Sequence, residues 1–150
     1  MIAALFAFLH HLAAFALVSA IAAEFLMIRE EITLRSARRI LFADMIIGIA
    51  AATVLVAGLF RVFFFEKGAD YYAHNAFFIA KISLFVAIAL LSIYPTREFL
   101  FWRRGLNEGR LPATAGDKLQ SIRGIIHLEL AGIGLILLCA ALMAKGIGSF

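Results

Sequence analysis

The sequence predicts an all-α integral membrane protein, a single domain of four transmembrane helices bundled together with both termini outside. Three observations carry that expectation. The chain has 150 residues, of which 64% are hydrophobic and only 16% charged, against about 45–50% and about 25% in a soluble domain. Its mean hydropathy is +0.98, so it carries more apolar surface than so short a chain can bury in a core of its own. Finally, the apolar residues gather into four stretches near the ~20 residues that cross a hydrocarbon layer as a helix. None alternates with a period of two, which argues against a barrel.

The first span covers 2–28. Ser19 to Ala23 resembles a small-residue cleavage site. No Lys or Arg precedes the stretch, however, and it outruns the apolar core of a signal peptide, so it is read as a retained helix. The second span covers 40–65, the third 73–94 and the fourth 122–143. Arg29, Arg35, Arg38 and Arg39 fill the first connection, and Arg97, Arg103, Arg104, Arg110 and Lys118 the third. The middle connection sets Lys67 against Glu66 and Asp70. An excess of Arg and Lys marks cytoplasmic loops, so loops one and three face the cytoplasm and both termini lie outside. The same distribution explains the net charge of +4 without nucleic acid. Gly68 is placed at the end of the second helix and Pro95 where the third leaves the membrane. Tyr71, Tyr72 and Trp102 are placed at the interfaces.

Small residues let helix backbones approach closely in lipid. Gly48, Ala51, Ala52 and Gly58 form such a stripe on the second helix, and Ala131, Gly134 and Ala141 on the fourth. Packing within the bundle is the expectation, with homodimerisation as the alternative. A short internal echo, Glu24-Phe25-Leu26-Met27-Ile28-Arg29 against Glu98-Phe99-Leu100-Phe101-Trp102-Arg103, ends both odd-numbered helices, although the rest of the two halves matches poorly. Cys139 is the only cysteine and can form no intrachain disulfide.

Ionisable groups inside a membrane are costly, so each is a candidate for function. They fall at two depths. The outer level holds His10, His11, Arg61 and Lys81, with His74 at the rim. At about 1.5 Å per residue, His10 and Lys81 both lie roughly 12 Å inside the boundary and can meet across helices one and three. His10 shares a stripe with Ala14, Leu17, Ile21 and Glu24, whereas His11 points elsewhere. Three chemistries fit. His10 can ligate haem iron while Arg61 and Lys81 neutralise propionates; His10 and Lys81 can belong to a proton path; or His10 bonds a backbone carbonyl while the two cations snorkel outwards. Arg61 to Phe65 and Tyr71-Tyr72 supply aromatics that suit a membrane anchor or the mouth of a pocket for a flat ligand.

The inner level holds Glu24, Asp44, His127 and Glu129. Carboxylates with imidazole can bind a divalent metal. The Glu-x-x-His spacing of di-iron bundles is absent, however, and His127 and Glu129 lie on opposite sides of their helix. Pairing with Arg29, Arg39, Arg97 and Arg123 is therefore the expectation. No nucleotide loop, nucleophilic triad or zinc-protease motif is visible.

The whole chain resembles a domain-of-unknown-function family of small bacterial inner-membrane proteins. The likeness rests on Phe8-Leu9-His10, Glu24 with Arg29, Asp44, Arg61 through Gly68, Tyr71-Tyr72, Asn75, Lys81, Leu91 through Thr96, and Ala141 through Ala144. More distantly it looks like the HemJ-type protoporphyrinogen oxidases, on the Leu-His near the start of helix one, the arginine near its end and a lysine after an aromatic-rich loop. That resemblance implies haem b with His10 as axial ligand, Arg29 as a charge partner, and Lys81 as a site residue. It implies a membrane oxidoreductase acting on a porphyrin or quinone-like substrate. The chain departs from that pattern at the end of helix one and at Ile93-Tyr94-Pro95. The leading expectation is thus a haem-binding redox protein in the bacterial inner membrane. A small transport or proton-coupled protein is the alternative, and a ligand-free assembly subunit the third reading.

Overall fold

The computed structural model describes residues 1–65, 69–112 and 116–148, apart from the side chains of Ala69 and Tyr71. Its helices are α1 (Ile2–Met27), α2 (Leu34–Phe60), the short α3 (Ala69–Ala73), α4 (Ala76–Asn107) and α5 (Gly116–Ala144). A π-helical segment, Arg61–Phe65, prolongs α2. Four of these helices, α1, α2 with its π segment, α4 and α5, are long and apolar enough to cross a membrane. They form a ring in which α1 packs on α2 and α5, and α4 on α2 and α5. Helices α1 and α4 face each other across one diagonal and α2 and α5 across the other. One end of the bundle carries the chain termini and the α2–α4 connection, and the other carries most of the arginines.

Three helices outrun the apolar stretches that announce them. Thr33 caps α2 ahead of Ile40: its hydroxyl accepts from Ser36 N, and the Ser36 hydroxyl accepts from Thr33 N. Helix α5 starts at Gly116, six residues before the predicted span. Helix α4 continues through Pro95 to Asn107. Pro95 is buried inside it, so the helix does not stop there. Proline costs one backbone hydrogen bond, which membrane helices tolerate where neighbours cover the site. Arg97, Arg103 and Arg104 therefore ride on α4 instead of lying in a loop. Trp102 and Tyr72 are not interfacial rings: both are buried, Trp102 edge-on to Phe99 at 4.9 Å and Tyr72 against Phe78 at 5.1 Å. The expectations for Glu66, Lys67, Gly68 and the Tyr71 ring lie outside the described residues.

The tightest seam joins α1 to α2. Ala13 and Ala20 on α1 and Ala43, Ala50 and Ala57 on α2 are buried, each series at seven-residue spacing. Small side chains repeated every two turns let two backbones close up where lipid offers no hydrophobic drive. These alanines, rather than Gly48 and Ala52, which are exposed, make the contact. On α5 the expected stripe also faces outward, since Ala131, Gly134 and Ala141 are all exposed. Gly132 packs instead, and a Cβ there would lie 2.6 Å from Ile88 Cδ1. The core lies towards the arginine end, around Ile28, Ile40, Phe99, Leu106, Ile122 and Ile126.

Arginines close that end. Arg123 Nε donates to Ile28 O at 2.9 Å, and Arg38 Nη2 to Leu106 O at 3.1 Å. Each satisfies a carbonyl near a helix C-terminus, where cations are also favoured by the dipole. At the other end, buried Asn75 caps α4 by accepting from Phe77 N and Phe78 N, and donates to Ile147 O. Ala76 N donates to the carbonyl of Gly148, whose φ of 91° favours glycine.

Gly132→Leu should therefore force α4 and α5 apart and cost about 1–3 kcal/mol, lowering the unfolding temperature in detergent. Gly134→Leu, two residues away on the outer face, should leave it nearly unchanged. Equal effects from both substitutions would contradict this packing.

Candidate functional site

The bundle encloses polar groups at two levels. Near the terminal end, the His10 imidazole leans on α2, where Nδ1–H donates to Val54 O at 3.0 Å. Gly58 makes room for it, because a Cβ there would meet His10 Cε1 at 3.1 Å. A carbonyl only accepts, so Nδ1 carries the proton and Nε2 is the accepting nitrogen of the neutral ring. Lys81, on α4, places Nζ 5.2 Å from the centre of the Phe78 ring. His10 and Lys81 line one cavity of about 160 Å³, walled by all four spanning helices. The charge of Arg61 also reaches His10.

Two other histidines stay outside this group. His74 is exposed and donates from Nδ1 to Asp70 O at 2.8 Å, with the Asp70 carboxylate 3.7 Å away. His11 is exposed and bonds Ala7 O within its own helix.

Towards the arginine end, Glu24 of α1, Asp44 of α2 and Glu129 of α5 gather beside two hydroxyls of α4. Ser92 Oγ donates to Glu129 Oε1 at 2.5 Å, and Thr96 Oγ1 to Asp44 Oδ1 at 2.7 Å. Glu24 and Glu129 are each 2% exposed. Glu24 lies within electrostatic reach of both other acids. Its Oε2 is buried without a hydrogen-bond partner among the described residues.

The expected arginine pairing does not occur. Arg123 is spent on Ile28 O, Arg29 lies over the Phe25 ring at 4.3 Å, and none of the ion pairs among the described residues includes Glu24, Asp44 or Glu129. Arg97 lines the cavity beside Ser92 and Thr96, yet it too makes no ion pair with these acids among the described residues. His127 is exposed and stacks loosely on Phe25 at 5.9 Å. Among the described residues no three His, Cys, Asp or Glu side chains converge as a metal site.

Sequence analysis met Ser92 and Thr96 within the Leu91 through Thr96 stretch of the family likeness and gave neither residue a role or a partner. The signal was available: Lys81, Phe85, Ile88, Ser92 and Thr96 follow one another at spacings of three and four, one stripe of α4. A second cavity of about 290 Å³ touches both hydroxyls. Leu17, Phe85, Ile133 and Ile136 line both cavities. An apolar partition thus separates the imidazole and lysine from the hydroxyls and acids.

The porphyrin implied by resemblance can be tested against this geometry. His10 has the chemistry of an axial ligand, with Nδ1–H held by a carbonyl. The space does not match: pockets that enclose drug-sized ligands span about 300–1,000 Å³, a tetrapyrrole lies towards the larger end, and this cavity holds about 160 Å³. His74 and Arg61 do not line it.

Residues 2–148 match the family model described as Predicted membrane protein (DUF2214), and the chain belongs to that family. No curated protein and no solved structure matches it.

Protein purified in mild detergent after haem-supplemented expression is expected to show no Soret band. A band present in the native chain and lost in His10→Ala would restore the haem reading.

Proposed function

We propose that this membrane protein passes protons through the middle of its bundle, alone or together with a solute, using Glu24, Asp44 and Glu129 near one end and His10 with Lys81 near the other. The observation that carries the reading is Glu24: 2% exposed, beside two further acids, with one carboxyl oxygen unpartnered among the described residues. A buried polar atom left unsatisfied costs about 1–3 kcal/mol. A merely structural carboxyl would be expected to find a donor or a cation. Like charges in a water-poor interior repel, so three acids packed together are costly as a merely structural feature.

The residues supply the steps. His10 accepts a proton at Nε2 while Val54 O holds its other nitrogen in place. Ser92 and Thr96 both donate and accept, so each hydroxyl can hand a proton towards the carboxylate it touches. Lys81 and Ser92 are eleven residues apart on α4, about 16 Å, too far for one transfer. Water entering the two cavities closes that distance. The four residues common to both cavities, Leu17, Phe85, Ile133 and Ile136, are apolar, and water avoids an apolar constriction, so they act as the barrier to leakage. By its excess of arginine, the acid end faces the cytoplasm, in the inner membrane that the family resemblance implies.

In liposomes loaded with a pH-sensitive dye, a driven proton flux is expected that falls at least tenfold in Glu24→Gln. The unfolding temperature of that variant should stay level or rise, because no partner is lost. Flux unaltered by Glu24→Gln, Asp44→Asn and Glu129→Gln together would sink the proposal. Phe85→Ala should open the partition and raise the basal leak; an unchanged leak would contradict the barrier.

A further inference from the structure

We infer that the start of α2 holds an anionic phospholipid, its phosphate between Arg35 and Arg39 and one acyl chain along Phe42, Met45 and Ile49. Arg35, Arg38 and Arg39 share one face of the first two turns, where with Leu34 and Phe42 they bound a groove of about 410 Å³. Three guanidiniums within five residues exceed what helix capping requires. Arg38 keeps one contact to Leu106 O, while neither Arg35 nor Arg39 has an acidic partner among the described residues.

Four other basic residues at this end are already engaged. Arg123 is tied to a carbonyl, Arg29 to a ring, Arg110 to Glu108 and Lys118 to Glu98. Guanidinium forks match phosphate oxygens better than any other side chain does. The α2 N-terminus adds the positive end of its dipole.

Below the arginines the same face turns apolar. Phe42 is 60% exposed, and Met45 and Ile49 are exposed after it at three- and four-residue spacing. A ridge of that kind running on from a cationic groove fits a ligand with an anionic head and a hydrocarbon tail. A free phosphate would have no use for the ridge, so the ligand is a lipid.

Native mass spectrometry of the full chain released from mild detergent tests it with added phosphatidylglycerol and phosphatidylcholine. A phosphatidylglycerol adduct is expected to survive, with retention falling about fivefold for each of Arg35→Gln and Arg39→Gln, on the scale of basic residues at an anionic surface. Arg103→Gln with Arg104→Gln removes as much charge elsewhere as Arg35→Gln with Arg39→Gln combined and should leave the adduct intact. Phe42→Ser should weaken it with the charge unchanged, which keeps the test open should an arginine variant fail to fold. Equal loss from both pairs of arginine substitutions, equal retention of phosphatidylcholine, or displacement by inorganic phosphate would overturn the assignment.

Discussion

Hydrocarbon satisfies no hydrogen bond, and nearly every feature of this protein follows from that constraint. Backbone groups must be paired within each segment, so the spans are helices. Carbonyls near helix ends need donors, and at the arginine end Arg123 and Arg38 supply them to Ile28 and Leu106. Asn75 does the corresponding work for the first amides of α4. Ser92 and Thr96 donate to Glu129 and Asp44. Against this thorough matching, the unpartnered oxygen of Glu24 stands out among the described residues. Its position beside two other acids is the observation on which the proposed proton exchange rests.

The way the helices close explains why there is room for such chemistry. Alanines at seven-residue spacing draw α1 and α2 together. Bulkier residues such as Leu17, Phe85 and Ile136 hold the four helices apart at the centre and wall the two cavities. A tight seam on one side and a loose centre on the other leave the polar groups of α4 facing an internal space. Proline in α4 fits the same arrangement: Pro95 lies between Ser92 and Thr96, just ahead of Arg97, and is buried.

Much of this was legible in the sequence, and the limits have physical causes. The number of spans followed from apolar run lengths, because a bilayer sets the length a helix needs. The ends were misjudged because hydropathy reports where hydrocarbon stops rather than where hydrogen bonding stops. Thr33 and Asn107, outside the apolar runs, bound helices that continue into the polar layer. Helical phase correctly chose His10 over His11 for the interior, and it set His127 and Glu129 on opposite sides of their helix without saying that Glu129 is the one facing inward. Phase could not show that Arg123 reaches a carbonyl and Arg29 a ring rather than the acids, since that depends on how far long side chains extend. The alanine seam was overlooked because alanine is common in every membrane helix, and only the partner surface distinguishes Ala50 from Ala52.

The proton reading depends on Glu24 changing its protonation while embedded in lipid. Infrared difference spectra of the bilayer-reconstituted protein, recorded between two pH values, observe that event directly. A relay through Glu24 requires a carboxylic-acid stretch that comes and goes with pH and is missing from Glu24→Gln. Identical difference spectra from the native chain and the variant would contradict it.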